Sequence, residues 1–388
     1  MTQSRIYLDY NATAPLIPEA QDALLDALSL PGNASSVHSE GRAARKLVEG
    51  ARADVAALVG ARAKSVVFTS GATEANATAL TPNWFLNGKP LTPTHLIVSA
   101  VEHPSALKSP RFAGEMTRQI PVDGQGVIDL AALAQLVAEV GDAGGLPLVA
   151  VQLANNETGV IQPVVEAADI VHARGGLMHC DAVQAAGRIP IDIAALQVDT
   201  LALSAHKLGG AQGVGALVLA EGRAHPAPLI TGGGQEGWRR AGTEPVAAIS
   251  AFGAAARVAL AGLDRMPEIA TRRDRLQAEL TRLSNQAVVF SSEARRLPNT
   301  LALGLPGVSA ETAVIAFDLA GVAISSGSAC SSGKVAASHV LKAMGVAPDL
   351  ARSGLRISLG ATTSDAELER FVEVWAKVMG KLAMTRAG

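Results

Sequence analysis

"LPLVAVQLANNETGVIQPVVEAADIVHARGGLMHCD", residues 146–181, is the stretch whose reading decides the fold. It opens on an apolar run (146–154), passes through a polar loop, continues as a helical stretch (163–174) and closes on a second apolar run (176–181) that ends in Asp181. Apolar runs rich in Val, Ile and Leu and bounded by Gly, Pro or Asn read as strands covered on both faces. Strand, helix and strand in that order form the repeating unit of a parallel sheet. Working outward, "SVVFTS" (65–70), "THLIVSA" (94–100), "DTLALSA" (199–205) and "GALVLA" (215–220) add strands, and residues 129–140 add a helix. The expected fold class is therefore α/β: a large domain over 16–260 with a mostly parallel sheet flanked by helices.

The segment "RMPEIATRRDRLQAELTRLSNQ" (265–286) returns its apolar residues at helical spacing and reads as a long connecting helix. Beyond it, "NTLALGL", "GVAISSGSAC" and "GLRISLG" read as a few strands and 364–383 as a closing helix. Residues 1–15 and 261–388 are expected to form a smaller α+β domain.

Composition narrows the function. The 388 residues are 48% hydrophobic and 18% charged, with 33 Lys plus Arg against 35 Asp plus Glu and a net charge of −2. That balance gives no electrostatic attraction to nucleic acid or to a membrane surface. Three Trp and two Tyr leave little aromatic surface for base stacking. "MTQSRIYLDY" lacks a basic-then-apolar leader, and no apolar run approaches a membrane span. A cytoplasmic protein without nucleic-acid or membrane partners is expected, and no metal site. Cys180 and Cys330 are the two cysteines, so this is no disulfide scaffold.

Ligands of open α/β sheets bind beyond the carboxyl ends of the strands. Five of the expected strands run into polar residues there: Thr73, His103, Asn156, Asp181 and Lys207. One such residue is ordinary loop chemistry; five together mark a candidate site. In "FTSGATEAN" (68–76) the chain passes through Gly71 into a helix, and the N–H groups of Ala72 and Thr73 with the Thr73 hydroxyl would cradle an anion. Plain capping by Ser70 or Thr73 is the competing reading. "SAHKLGG" (204–210) puts Lys207 behind a strand, beside Ser204 and His206. A lysine near other cationic groups in a dry cleft loses its proton more easily, as Schiff-base chemistry requires; a surface lysine is the alternative. Asp181 of "HCDAVQ" (179–184) closes the preceding strand, where a carboxylate could hold a proton on a heterocyclic nitrogen. A phosphate cradle, an amine and an aspartate are what pyridoxal phosphate asks of a protein.

"SSGSACSSG" (325–333) surrounds Cys330 with Gly and Ser, which cannot pack around a thiol. A mobile loop over about 325–338 is expected, whereas Cys180, mid-strand, reads as a packing residue.

With "VEHPS", "NNETGV" and "RAGTEP" added to these motifs, the chain resembles the cysteine desulfurases of the NifS/IscS type. These lie in the class V aminotransferase branch of the fold type I pyridoxal-phosphate enzymes. The likeness runs from "YLDYNATAP" (7–15) to "GLRISLG" (354–360). It implies pyridoxal 5'-phosphate as cofactor, with Lys207 carrying it covalently, Asp181 paired with its ring nitrogen and Gln184 bonded to its ring oxygen. It also implies His103 stacked on the ring as an acid–base group. Ala72, Thr73, Ser204 and His206 match phosphate-binding positions, and Thr243 matches one supplied across a homodimer interface. Asn156 and Arg356 match residues that orient the substrate and hold its carboxylate, with Asn33 of "GNASS" nearby. Cys330 matches the catalytic cysteine. The implied reaction takes sulfur from L-cysteine, gives L-alanine, and leaves a persulfide on Cys330 for a sulfur-acceptor or iron–sulfur scaffold protein.

Selenocysteine lyase and cysteine sulfinate desulfinase share the cofactor residues and stay open as alternatives, as does a non-catalytic cofactor-binding scaffold. An aminotransferase would leave Cys330 without a purpose. In "LRISL" the apolar residues alternate with Arg356, so a strand turns this arginine away from its core. There it is either solvated or suited to bidentate capture of a carboxylate. Ala14, Cys180, Val183 and Ala211 depart from the usual family pattern, at positions that touch no reacting group.

Overall fold

A computed structural model describes residues 5–108, 111–327 and 338–387. The apolar runs assemble into one seven-stranded sheet in the order Val66–Thr69, Gly215–Leu219, Thr200–Ser204, Leu177–Asp181, Pro147–Ala150, His95–Ser99, Thr117–Ile120. All pair in parallel except Gly215–Leu219, which is antiparallel to both of its neighbours. The strand from 146–154 ends by pairing at Ala150, yet Val151 N–H and Leu153 N–H still donate to His179 and Asp181 carbonyls, at 3.1 and 2.8 Å.

Five of these strands are buried at every residue, the burial that unbroken apolar runs require. The edge strand Thr117–Ile120 escaped the sequence reading because its residues, TRQI, are mostly polar and half exposed, as edges are. A three-stranded sheet of His225–Pro226, Trp84–Leu86 and Lys89–Leu91 was also unread; two- and three-residue strands carry no period.

Helices Leu130–Asp142 and Val164–His172 connect strands within the sheet, the first capped by the Asp129 carboxylate accepting from Ala131 N–H and Ala132 N–H. Helices Ser39–Leu58 and Val246–Ala261 pack at backbone distance. A Cβ on Gly253 would lie 2.5 Å from the Ala51 Cα, so only glycine fits that crossing.

The expected connecting helix is Met266–Leu283. It leads to a four-stranded antiparallel sheet of Val288–Val289, Thr300–Gly304, Leu355–Ser358 and Ser325–Ser326. Ile6–Tyr7 pairs in parallel with Val322–Ala323. Ile6 and Leu8 join side chains between Ile269 and Met379 in a second core, with Phe317 and Trp375 stacked 5.5 Å apart. The first core takes side chains from Ala34 to Ala256, and Leu297.

Residues after Leu8 stitch the two sheets together at the strand ends. Asp9 bridges to Ser358, Asn11 N–H donates to Ser358 Oγ at 3.0 Å, and Ala14 N–H donates to the His206 carbonyl at 2.9 Å. This seam decides between the two readings left open for Arg356: it is not solvated. It faces away from the second core but is only 3% exposed, closed over by Asp9 and by Asn156.

Candidate functional site

Where the strands end, a cavity of about 580 Å³ opens, within the size range of small-molecule and cofactor sites. Thr73, His103, Asn156, Asp181 and Lys207 all line it, together with Ala72, Gln184, Ser204, His206 and Arg356. Asn33 and Thr243 do not line it in the single chain; both are exposed. Cys330 lies outside the described residues.

One wall is the start of helix Ala72–Ala79. Gly71 precedes it at φ 157° and ψ 174°, a conformation essentially confined to glycine. Among the described residues no side chain caps this terminus, so neither Ser70 nor Thr73 plays the capping part that competed with the anion reading. Gly215 packs directly behind: a Cβ there would sit 2.7 Å from Gly71 Cα. The outcome is an uncapped helix start with bare backbone, the geometry that receives an anion. Glu74 in the same turn is neutralised by Arg240 at 3.0 Å, and its carboxylate accepts from Ser70 N–H. That ion pair ties "RAGTEP", and with it Thr243, to the cradle helix.

Opposite stands Lys207, in a short turn after strand Thr200–Ser204. Its Nζ donates to the Asn11 carbonyl at 2.5 Å and the Ala12 carbonyl at 2.7 Å. The expected cationic neighbour, His206, is neutral instead. Burial and the Lys207 charge push His206 down to about 4. Burial also lowers His103, with Lys207 and His339 adding to the shift against the pull of Asp181.

Asp181 closes its strand with Oδ1 accepting from Val183 N–H at 3.0 Å and Oδ2 from Asn76 Nδ2 at 2.8 Å. Gln184 donates to the Asn11 carbonyl at 3.0 Å. Arg356 donates to the Asn156 carbonyl at 2.9 Å and to the Asp9 carboxylate at 2.7 Å, while its buried Nε has no partner among the described residues.

Sequence reasoning missed Asn11, Asn76 and Ser105. All three fell inside quoted motifs, but their partners lie on segments distant in sequence, Asn11 against Thr300 and Asn76 against Asp181 and Ser105. Two buried acids were missed as well. Burial raises Glu157 to about 7, against Ser338 and Arg356, and burial with the Asp181 charge holds Glu102 well above the usual carboxylate range.

An anion cradle, a held amine, a carboxylate and a partly satisfied guanidinium around one cavity suit an amino-acid substrate on a phosphorylated cofactor. Comparison with known proteins bears on which family shares this arrangement. Residues 6–371 match the family described as aminotransferase class-V. A cysteine desulfurase of Cereibacter sphaeroides is 40% identical over 388 residues, covering 97% of this chain and 96% of its own. The X-ray structure of a NifS-like protein from Rickettsia africae superposes with a TM-score of 0.85 at 34% identity, over 97% of this chain and 99% of that one. A structure of SspA in complex with cysteine gives a TM-score of 0.75 at 27% identity, over 91% and 98%. With the cavity, the sheet order and these full-length matches in agreement, this chain belongs to the class-V aminotransferase family, within its cysteine desulfurase branch.

Proposed function

We propose that this enzyme binds pyridoxal 5'-phosphate in the strand-end cavity and takes the sulfur from L-cysteine. Alanine is released and the sulfur stays on Cys330 as a persulfide, which an acceptor or iron–sulfur scaffold protein then collects. The observation that carries the reading is the convergence of the uncapped helix start, Lys207, Asp181 and Arg356 on one cavity.

The residues present fit the cofactor. The bare N-terminus at Ala72 and Thr73, with Ser204 and His206 beside it, would hold its phosphate. Thr243, exposed and tethered near the cradle through Arg240 and Glu74, would serve the phosphate of a second copy in a homodimer. When bound, pyridoxal phosphate supplies an electron sink for the pair left as the substrate loses its α-proton.

The chain's own groups do the rest. Asp181 would hold a proton on the ring nitrogen, and Gln184 would donate to the ring oxygen. Lys207 would hold the cofactor through its Nζ and, once free, would take the substrate's α-proton. His103, lining the same cavity, would serve as proton donor and acceptor beside the cofactor. Arg356 and Asn156 hold the substrate carboxylate. The Cys330 thiolate would attack the substrate sulfur: the S–S bond forms as Cβ–S breaks, the electron pair stays on the carbon skeleton, and that skeleton gains one proton at Cβ and regains one at Cα before leaving as alanine.

Incubating cofactor-loaded protein with cysteine and a dithiol reductant should give alanine and sulfide in equal amounts. No alanine from fully loaded protein would instead make it a cofactor-binding scaffold. Arg356→Lys keeps the charge but loses the planar fork that pairs with a carboxylate. The expected result is a KM for cysteine raised by roughly 10- to 100-fold, the effect of one charge-assisted hydrogen bond, with kcat changed far less. A KM equal to the parent's removes Arg356 from the substrate site.

A further inference from the structure

Behind the cavity wall lies a buried polar chain that the reaction scheme above does not use, and its centre is Asn76. This residue stands in helix Ala72–Ala79, fully buried. Its Nδ2 donates to Asp181 Oδ2 at 2.8 Å and to Ser105 Oγ at 2.8 Å. Its Oδ1 lies 2.9 Å from His179 Nε2, and His179 Nδ1 lies 2.8 Å from Thr200 Oγ1.

The direction of each hydrogen bond follows from the donor inventory. A carboxylate only accepts, so the Asn76 nitrogen must face Asp181; the flipped amide would set two oxygens against each other. With both amide protons given away, Asn76 Oδ1 accepts, and His179 carries its proton on Nε2. His179 is neutral, as burial brings it down to about 4 against Asp181, so its Nδ1 accepts from the Thr200 hydroxyl.

On the other branch, Ser105 Oγ accepts from Asn76 and turns its own proton toward His103 Nδ1 at 2.8 Å. Ser105 N–H donates to the same Nδ1 at 3.2 Å. His103 Nδ1 is therefore doubly an acceptor, and the ring's proton sits on Nε2.

We propose that Asn76 is a positioning residue which, through one side-chain amide, fixes both the Asp181 carboxylate and the tautomer of His103, leaving His103 a hydrogen-bond donor at Nε2. Asp181 and His103 are thereby both held by a single side chain on the cradle helix, with Ser105 N–H adding a longer bond at His103 Nδ1. The part of the proposal concerning the ring rests on the cofactor reading above; the tautomer part does not.

The test uses protein labelled with ¹⁵N in histidine, first without cofactor, with the His103 signals identified by their loss in a His103→Asn protein. The parent should show His103 protonated at Nε2 and bare at Nδ1 near neutral pH. Asn76→Ala and Ser105→Ala should each give a mixture in which the Nδ1–H tautomer appears beside the parent's form, since only the 3.2 Å bond from Ser105 N–H still favours the latter. Thr200→Val disturbs the same buried chain at its far end, without touching Asp181 or Ser105, and should keep the parent's His103 signals even if it melts earlier. An Nδ1–H tautomer in the parent, or parent-like signals in both Asn76→Ala and Ser105→Ala, overturns the proposal.

The same proteins are then titrated with pyridoxal phosphate. Asn76→Ala should bind it about tenfold more weakly, the effect of one hydrogen bond to a charged group, and Thr200→Val as the parent does. Equal affinity in Asn76→Ala refutes the role toward Asp181. Failure of the parent itself to bind would count against the cofactor reading and leave the tautomer result standing.

Discussion

A Lys207→Ala protein mixed with pyridoxal phosphate shows no absorbance band of lysine-bound cofactor and releases alanine from cysteine at least ~1,000-fold more slowly than the parent. The size follows from losing two functions at once. The covalent tether disappears, and so does the base for the α-proton, worth on the order of 10²- to 10⁴-fold by itself. Among the described residues lining the cavity, Lys207 is the sole lysine, so no neighbouring amine substitutes. The guanidinium at 356 presents only N–H donors and no acceptor, so it cannot serve as the base. The Asn11 and Ala12 carbonyls would lose their ammonium donor, at a modest expense in stability, since they lie beside an open cavity that admits water. Absorbance and alanine release measured on one preparation check both halves. A retained covalent band in Lys207→Ala sinks the assignment of the amine.

What the sequence could show and what it could not divide along the range of the contacts involved. Val66–Thr69, Leu177–Asp181 and Thr200–Ser204 were readable because burial on both faces demands an unbroken apolar run, a local pattern. Thr117–Ile120 was not, because an edge strand makes no such demand. At the site, the residues at the strand ends could be picked out by position alone, since every strand in a parallel sheet delivers its loop to the same side. Their partners could not. Arg356 looked able to face solvent because nothing in "LRISL" announces that Asp9, from the opposite end of the chain, closes over it. Lys207 was expected among cations, whereas the groups that hold it are the carbonyls of Asn11 and Ala12, and backbone acceptors leave no trace in sequence. His206 sits beside it as read, but burial makes it neutral. Asn76 shows the same limit: it is polar, mid-helix and unremarked until the fold brings Asp181, Ser105 and His179 around it.

Cys330→Ala separates the sulfur chemistry from everything the cavity does. The variant should bind the cofactor with the parent's absorbance and still take up cysteine, because none of the cavity residues is altered. Its alanine production from cysteine should nonetheless fall by ~1,000-fold or more, an estimate for the loss of a nucleophile for which water is a poor replacement. Trapped protein should lack the mass of one added sulfur atom. No second thiol can take over. Cys180, the other cysteine, is fully buried mid-sheet, and burial together with the Asp181 and Glu102 charges pushes its thiol well up, away from the reactive thiolate. The same variant discriminates among the enzymes that share these cofactor residues. Selenocysteine and cysteine sulfinate carry leaving groups that depart without a thiolate to receive them, so their turnover should stay within about tenfold of the parent's. If cysteine, too, were processed at the parent's rate by Cys330→Ala, the persulfide step would be excluded and the protein would be a lyase that frees its heteroatom directly.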